Sequence, residues 1–341
     1  MPAILYSFSF SPNVQWTKVL PPQDELWQYL NGVAENYRLR SKMRFRTSVQ
    51  KCEWIESTKR WRLHLHDDET SQAFLHECQF LFSGTGGLVE PNQLDIPGLD
   101  SFKGEVFHTA RWRHDVDLHG KRVAIFGNGC TASQVVPCIV ERTKHLTQFV
   151  RSKHWVVPPV KVDKLPVIRW IIKHLPGAAS LLRFCAFCVA ENDFRGFYMT
   201  KTGEAFRRKR EARVSRYMKR VAPEKYHQML IPDFNIGCKR RVFDSDYLQS
   251  LNAENLTLTN KVPLSICSDG IVTEKGLIET DVIILANGFR TNLFMPGIEV
   301  MGRRETAVQH WDLLGGAGAY ETTAMNGFPN FFLLLGEVTP H

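Results

Sequence analysis

The chain has 341 residues, of which 43% are hydrophobic and 23% charged, with a formal net charge of +8. That length suggests about two domains, and the balance excludes wholesale disorder and the collagen-like, coiled-coil and disulfide-scaffold classes. The excess of cations favours anionic partners: a nucleotide cofactor, a nucleic acid or a membrane surface.

In chain order, Ile4–Trp16 (ILYSFSFSPNVQW) reads as an aromatic strand, and Glu25–Tyr37 has helical spacing. Phe45–Val49, Trp61–His66 and Ala73–Leu81 alternate as short strands about a turn at Asp67 and Asp68, which predicts a β-meander and not a βαβ unit. Gln79–Gly87 (QFLFSGTGG) and Thr280–Phe289 (TDVIILANGF) share one design, an apolar strand ending in a small-residue turn. The pair predicts a single sheet that the chain leaves and re-enters around an inserted domain.

The centre of that insertion is Lys121–Gln134, KRVAIFGNGCTASQ. Val123–Phe126 is a continuous apolar run of the buried parallel-strand type. Gly127, Gly129 and Ala132 then give G-x-G-x-x-A before a helical stretch. The first glycine permits a tight turn, the second lets backbone approach a pyrophosphate, and the third small residue packs helix on strand. Gly127, Asn128, Gly129, Cys130, Thr131, Ala132, Ser133 and Gln134 are therefore the expected dinucleotide contacts. The next strand, His145–Val150, ends in Arg151 and Ser152 where an NAD site usually carries an acid. A cation and a hydroxyl there suit a 2′-phosphate, so the expected cofactor is NADP.

From Lys161 to Gln228 the pattern is helical, and basic between Arg207 and Arg220, which reads as a solvated face; nucleic-acid binding is not expected, because no aromatic-interleaved module is present. Leu165–Ala190 is broken by Arg169, Lys173, His174, Pro176 and Arg183, so no spanning helix is expected. The eight scattered cysteines, including Cys185 and Cys188, read as reduced thiols that pack a helix. They suggest a cytoplasmic protein with no metal site. Gly237–Arg241 (GCKRR) follows the Pro232–Asp233 turn and enters a helix, a context in which its cations could hold phosphate or an oxygen anion.

Phe102–Trp112 (FKGEVFHTARW) satisfies F-x-G-x-x-x-H-x-x-x-W and resembles the fingerprint of Baeyer–Villiger monooxygenases, members of the class B flavin-containing monooxygenases. GNGCTA, VRSKHWVVP, GCKRRVF, ILANGF and GFPNFFLLLG extend the resemblance over nearly the whole chain. Arg113 departs from the family's Pro or Asp after the tryptophan. The resemblance implies an α/β fold of two Rossmann-like dinucleotide-binding domains, one for FAD and one for NADP. It further implies NADPH- and O2-dependent chemistry through a flavin peroxide, inserting oxygen next to a ketone or oxygenating a heteroatom of a small organic substrate. On this basis 1–113 would be a partial FAD domain, 114–275 the NADP domain with a helical insertion at about 161–235, and 276–341 the return to the FAD domain.

Carried over by motif, Lys239 would join Arg151 and Ser152 at the 2′-phosphate, and Arg240 would be the catalytic arginine beside the flavin. Phe102, Gly104, His108 and Trp112 would form the linker coupling the domains, with His108 positioning rather than donating a proton. The family's first glycine motif, which cradles FAD, has no counterpart before Gly127, and both chain ends look cut through a fold. Tyr6, Val49, Gly84 and Gly288 are the remaining candidates for contact with flavin or adenine. NADPH binding should thus survive better than FAD binding. Two alternatives remain open: an oxygenase of amines or sulfides, and a catalytically inactive NADP-binding fragment.

Overall fold

The computed structural model describes residues 3–159, 170–172, 174–175, 177–291 and 293–334. The chain divides into two compact units, Met1–Leu39 with Gln93–Gly288, and Arg40–Asn92 with Phe289–His341.

The smaller unit starts with the expected meander. β1 (Thr47–Ile55), β2 (Arg60–Asp67) and β3 (Gln72–Cys78) are antiparallel, with Trp54 opposite Trp61. Tryptophan pairs of this kind suit a half-buried pleated surface. Trp61 is fully buried, lies 5.6 Å from Phe331 and donates its indole N–H to the Pro329 carbonyl at 2.7 Å. β4 (Leu81–Ser83) follows, ending in the turn that carries Gly84.

The larger unit contains the glycine turn. Its strands in chain order are β5 (Glu105–His108), β6 (Arg122–Phe126), β7 (His145–Phe149), β8 (Val156–Val157), β9 (Val242–Phe243), β10 (Leu256–Thr259), β11 (Ser265–Cys267), β12 (Gly270–Thr273), β13 (Gly276–Glu279) and β14 (Val282–Leu285). Five of them form a wholly parallel sheet in the order β10-β7-β6-β14-β5. Period-two alternation explains its double burial. Val123 and Ile125 face a helical layer that includes Val136, Ile139, Met218 and Leu248. Ala124 and Phe126 face Ile266 and Ile271 of the β11-β12-β13 sheet. The chain then returns to the smaller unit as β15 (Glu299–Met301), parallel to β1, and β16 (Phe331–Leu333), parallel to β4.

Three expectations change. β4 pairs with β16, and β14 pairs with β5 and β6, so the two strands with glycine-ended turns lie in different sheets. A buried apolar strand before a glycine turn announces a parallel strand but does not name its neighbour. β5 and β14 lie in the sheet of the glycine turn, and the two units divide at 92/93 and 288/289. The aromatic opening forms a helical turn at Ala3–Tyr6 and a Phe8–Ser11 bridge instead of a strand. Its rings meet the Gln23–Asn36 helix and the residue that caps it, Trp16 against Tyr29 at 5.2 Å and Phe10 against Tyr37 at 5.3 Å. Finally, Cys185 and Cys188 are exposed on the Ala178–Asp193 helix, which buries none of its residues. Residues 160–169, which begin the expected helical insertion, lie outside those described. No helix among the described residues is long and apolar enough to cross a membrane.

Candidate functional site

The site begins where β6 ends. Gly127 adopts φ +120°, and a Cβ there would stand 2.3 Å from the Ala286 carbonyl oxygen just past β14. Only glycine meets both conditions. The turn is fastened from its neighbour, since the Gly127 N–H donates to the Phe149 carbonyl at 2.9 Å and Gln148 Nε2 donates to the Gly127 carbonyl at 2.8 Å. Gln148 is itself fixed by the hydroxyl of buried Tyr247, which donates to Oε1 at 3.1 Å.

Gly129 differs, because a Cβ placed there would meet no atom within 4 Å. From Gly129 to Ala132 the backbone N–H groups have no acceptor among the described residues. They lead into the Ala132–Ile139 helix, whose Thr131 cap makes no side-chain hydrogen bond. Unfilled space, free donors and a helix N-terminus together favour an anion. Cys130, Ser133 and Gln134 are occupied otherwise: Ser133 Oγ and Gln134 Nε2 donate to the Cys130 carbonyl, and the Cys130 thiol donates to the Arg241 carbonyl at 3.8 Å.

The strand-end cations gather beside this turn. Asn128 Nδ2 donates to the Ser152 carbonyl at 2.7 Å, drawing the end of the β7 segment to the loop. Parallel pairing of β8 with β9, extended by the Val242 N–H donating to the Trp155 carbonyl at 3.0 Å, sets Trp155–Val157 alongside Val242–Asp244, and Lys239 lies close enough to His154 to act on its charge. Arg151 is exposed and Ser152 half-buried. Lys239 Nζ sits 5.0 Å from the Phe234 ring centroid. Neither Lys239 nor Arg240 has a carboxylate partner among the described residues, whereas Arg241 Nη1 donates to Asp193 Oδ2 at 2.8 Å.

His154 is a candidate that sequence reading missed. Its Nδ1 is buried without a partner among the described residues, and Nε2 lies 3.5 Å from Ser152 Oγ. Burial and the nearby Lys239 ammonium lower its pKa, keeping the imidazole neutral at pH 7. The signal was present as the second residue after Ser152 in VRSKHW, but nothing local in the sequence marks one of its ring nitrogens as buried.

The fingerprint residues serve the same sheet. A Cβ at Gly104 would lie 2.2 Å from the Asp281 carbonyl and 2.6 Å from the Phe102 ring, which explains the spacing of Phe102 and Gly104. His108, buried at the end of β5, accepts from the Ala110 N–H at Nδ1 and so donates from Nε2 to the Gly288 carbonyl at 3.1 Å. Burial lowers its pKa, outweighing the bond to Gly288. This is a neutral, fixed imidazole, suited to positioning. Trp112 packs edge-on against Phe107 at 5.2 Å. Of the other candidates, exposed Tyr6 and half-buried Gly288 belong to the larger unit, and half-buried Val49 and exposed Gly84 to the smaller.

The basic helix is more than a solvated face. Within Lys201–Val221, Arg207 is buried and Nη1 donates to the carbonyls of Gly196 and Tyr198 at 2.7 and 2.9 Å. Arg210 is ion-paired with Asp193. These partners are main-chain oxygens and one remote carboxylate, which charge patterning cannot reveal.

A parallel α/β sheet with a glycine turn and strand-end cations defines a dinucleotide-binding protein. A sequence profile of the flavin-binding monooxygenase-like family matches residues 8–173. An uncharacterized monooxygenase of Mycobacterium tuberculosis is 32% identical over 343 residues, spanning 100% of this chain and 67% of that protein. A Baeyer–Villiger monooxygenase of Pseudomonas aeruginosa is 33% identical over 337 residues, 98% of this chain and 62% of that protein. Among solved structures, an oxidized steroid monooxygenase bound to NADP superposes with a TM-score of 0.80 at 28% identity, over 98% of this chain and 70% of that one. Cyclohexanone monooxygenase from Rhodococcus sp. Phi1 bound to NADP+ gives 0.79 at 25%, over the same shares. The chain belongs to the flavin-binding monooxygenase family of Baeyer–Villiger type, and spans about two thirds of the length of these relatives.

Proposed function

We propose that the chain binds NADPH at the Gly127–Gln134 turn and, with FAD, oxygenates a small organic substrate using O2, by insertion next to a ketone carbonyl. The observation that carries the reading is the open Gly129, with unengaged N–H groups running into a helix beside Arg151, Ser152 and Lys239. NADP fits these residues. The N–H groups from Gly129 to Ala132 would hold the pyrophosphate, and Arg151, Ser152 and Lys239 the 2′-phosphate, to which neutral His154 could donate.

Arg240 is the proposed catalytic residue, an exposed guanidinium that stays charged and can stabilise an anionic oxygen. Among the described residues no second G-x-G-x-x-G/A turn joins a strand to a helix, so the FAD half of the reading rests on family membership. Tyr6, Gly288, Val49 and Gly84 stand as proposed flavin contacts. The smaller unit is proposed as part of the FAD domain, and Phe102–Trp112 as the linker. When bound, FAD supplies the redox chemistry with O2.

The test is a titration of the purified chain with NADPH and NADH, followed by flavin retention after purification with added FAD. NADPH should bind at least about tenfold tighter than NADH, a difference of ~1.4 kcal/mol. Equal affinity, or tight FAD binding without NADPH binding, would sink the reading. Turnover of a cyclic ketone against a sulfide then decides between insertion and heteroatom oxygenation.

A further inference from the structure

Three neighbouring cations, Lys239, Arg240 and Arg241, meet different fates. Of the three, Arg241 alone has a carboxylate partner among the described residues, Asp193 at the C-terminal end of the Ala178–Asp193 helix. The same carboxylate accepts two bonds from Arg210 of the Lys201–Val221 helix, the one from Nη2 at 3.0 Å. Asp193 is thus shared by two helices and the cation segment. Glu211, next to Arg210, accepts the Ile236 N–H at 2.9 Å, and Tyr217 donates to Asp244 at 2.6 Å. One helix therefore fastens the segment before, at and after the cations. A small cavity of about 30 Å³, room for one water, lies among Asp193, Arg207, Arg210, Gly237 and Arg241.

We propose that Asp193 is a positioning residue for nucleotide selection: by holding Arg241 against the helices it keeps Lys239 and Arg240 beside Ser152 and so sets the preference for NADPH over NADH. This rests on the NADP reading above. Without the carboxylate, Arg210 and Arg241 are adjacent like charges with no other counter-ion among the described residues, and repulsion moves the segment. Lys239 moves with it, because only one residue separates it from Arg241. The pyrophosphate contacts at Gly129–Ala132 belong to another element and remain.

The experiment titrates NADPH and NADH into the full chain and its variants, following tryptophan fluorescence. Asp193→Asn should lower the NADPH-to-NADH affinity ratio about tenfold while leaving NADH affinity nearly unchanged. Asp193→Glu, which keeps the carboxylate, should recover most of the ratio. Arg241→Met cuts the link to the segment but spares the Arg210–Asp193 pair that joins the helices, and should lower the ratio similarly. A folded Asp193→Asn with the wild-type ratio overturns the proposal; if that variant does not fold, a wild-type ratio in Arg241→Met does so. A wild-type chain without preference instead overturns the NADP reading, and the clamp's role with it.

Discussion

The glycine turn and the cation segment face the same proposed ligand but are held by different means. At Gly127–Gln134 the backbone sets the shape: φ +120° and a carbonyl 2.3 Å from where a Cβ would stand leave one permissible residue, and bonds from β7 finish the turn. At Lys239–Arg241 the shape comes from side chains far away in sequence, Asp193 and Glu211, through ion pairs and one capped N–H. A turn built on sterics should fail abruptly, whereas a segment held by charge should fail gradually and in ways that pH can tune.

Gly127→Ala is the sharpest way to break the first arrangement. The added methyl meets main-chain oxygen, which cannot swing aside, in a backbone conformation that alanine resists. We expect a loss of at least about 3 kcal/mol, read as a large fall in thermal midpoint or failure to fold. A near-normal melting curve would show that β14 yields more easily than its packing implies.

Gly129→Ala separates stability from binding within the same turn. Its φ is not positive and its surroundings are open, so the unliganded chain should melt within about 1 kcal/mol of wild type. NADPH affinity should nevertheless fall by about tenfold or more, because the methyl takes the space where an anion would approach the N–H groups. Unchanged affinity would mean that the gap at Gly129 is not the cradle.

The same contrast governs what could be read from sequence. Gly127, Gly129 and Ala132 were legible because strand, turn and helix are local, and each small residue has a local reason. The meander was legible because Trp61–His66 and its neighbours alternate at period two around the Asp67–Asp68 turn. Partners were not legible. Nothing in VIIL at β14 says that it lies between β5 and β6, since a strand buried on both faces carries no mark of its neighbours. Asp193 and Arg241 stand 48 residues apart, and half-buried His154 lies near Lys239 of the segment that leads into β9. The opening aromatics alternate like a strand, yet their rings pack on the next helix.

The smallest effect distinguishes charge from sterics directly. Although burial alone would raise it, the bonds from Arg210 and Arg241 lower the pKa of Asp193 below its ordinary 3.8. A carboxylate depressed in the folded state adds stability at pH above its unfolded value, and that stability is lost as pH falls through the folded value. Wild type should therefore be more stable than Asp193→Asn at pH 7, by less than about 1 kcal/mol for a partly exposed pair. The gap should close as pH drops below the ordinary carboxylate range, because a protonated Asp193 is electrically an asparagine. Thermal melts of both proteins across pH 7 to pH 3 test this, and a gap that persists at the acid end would mean that packing around the side chain, not its charge, holds the cation segment.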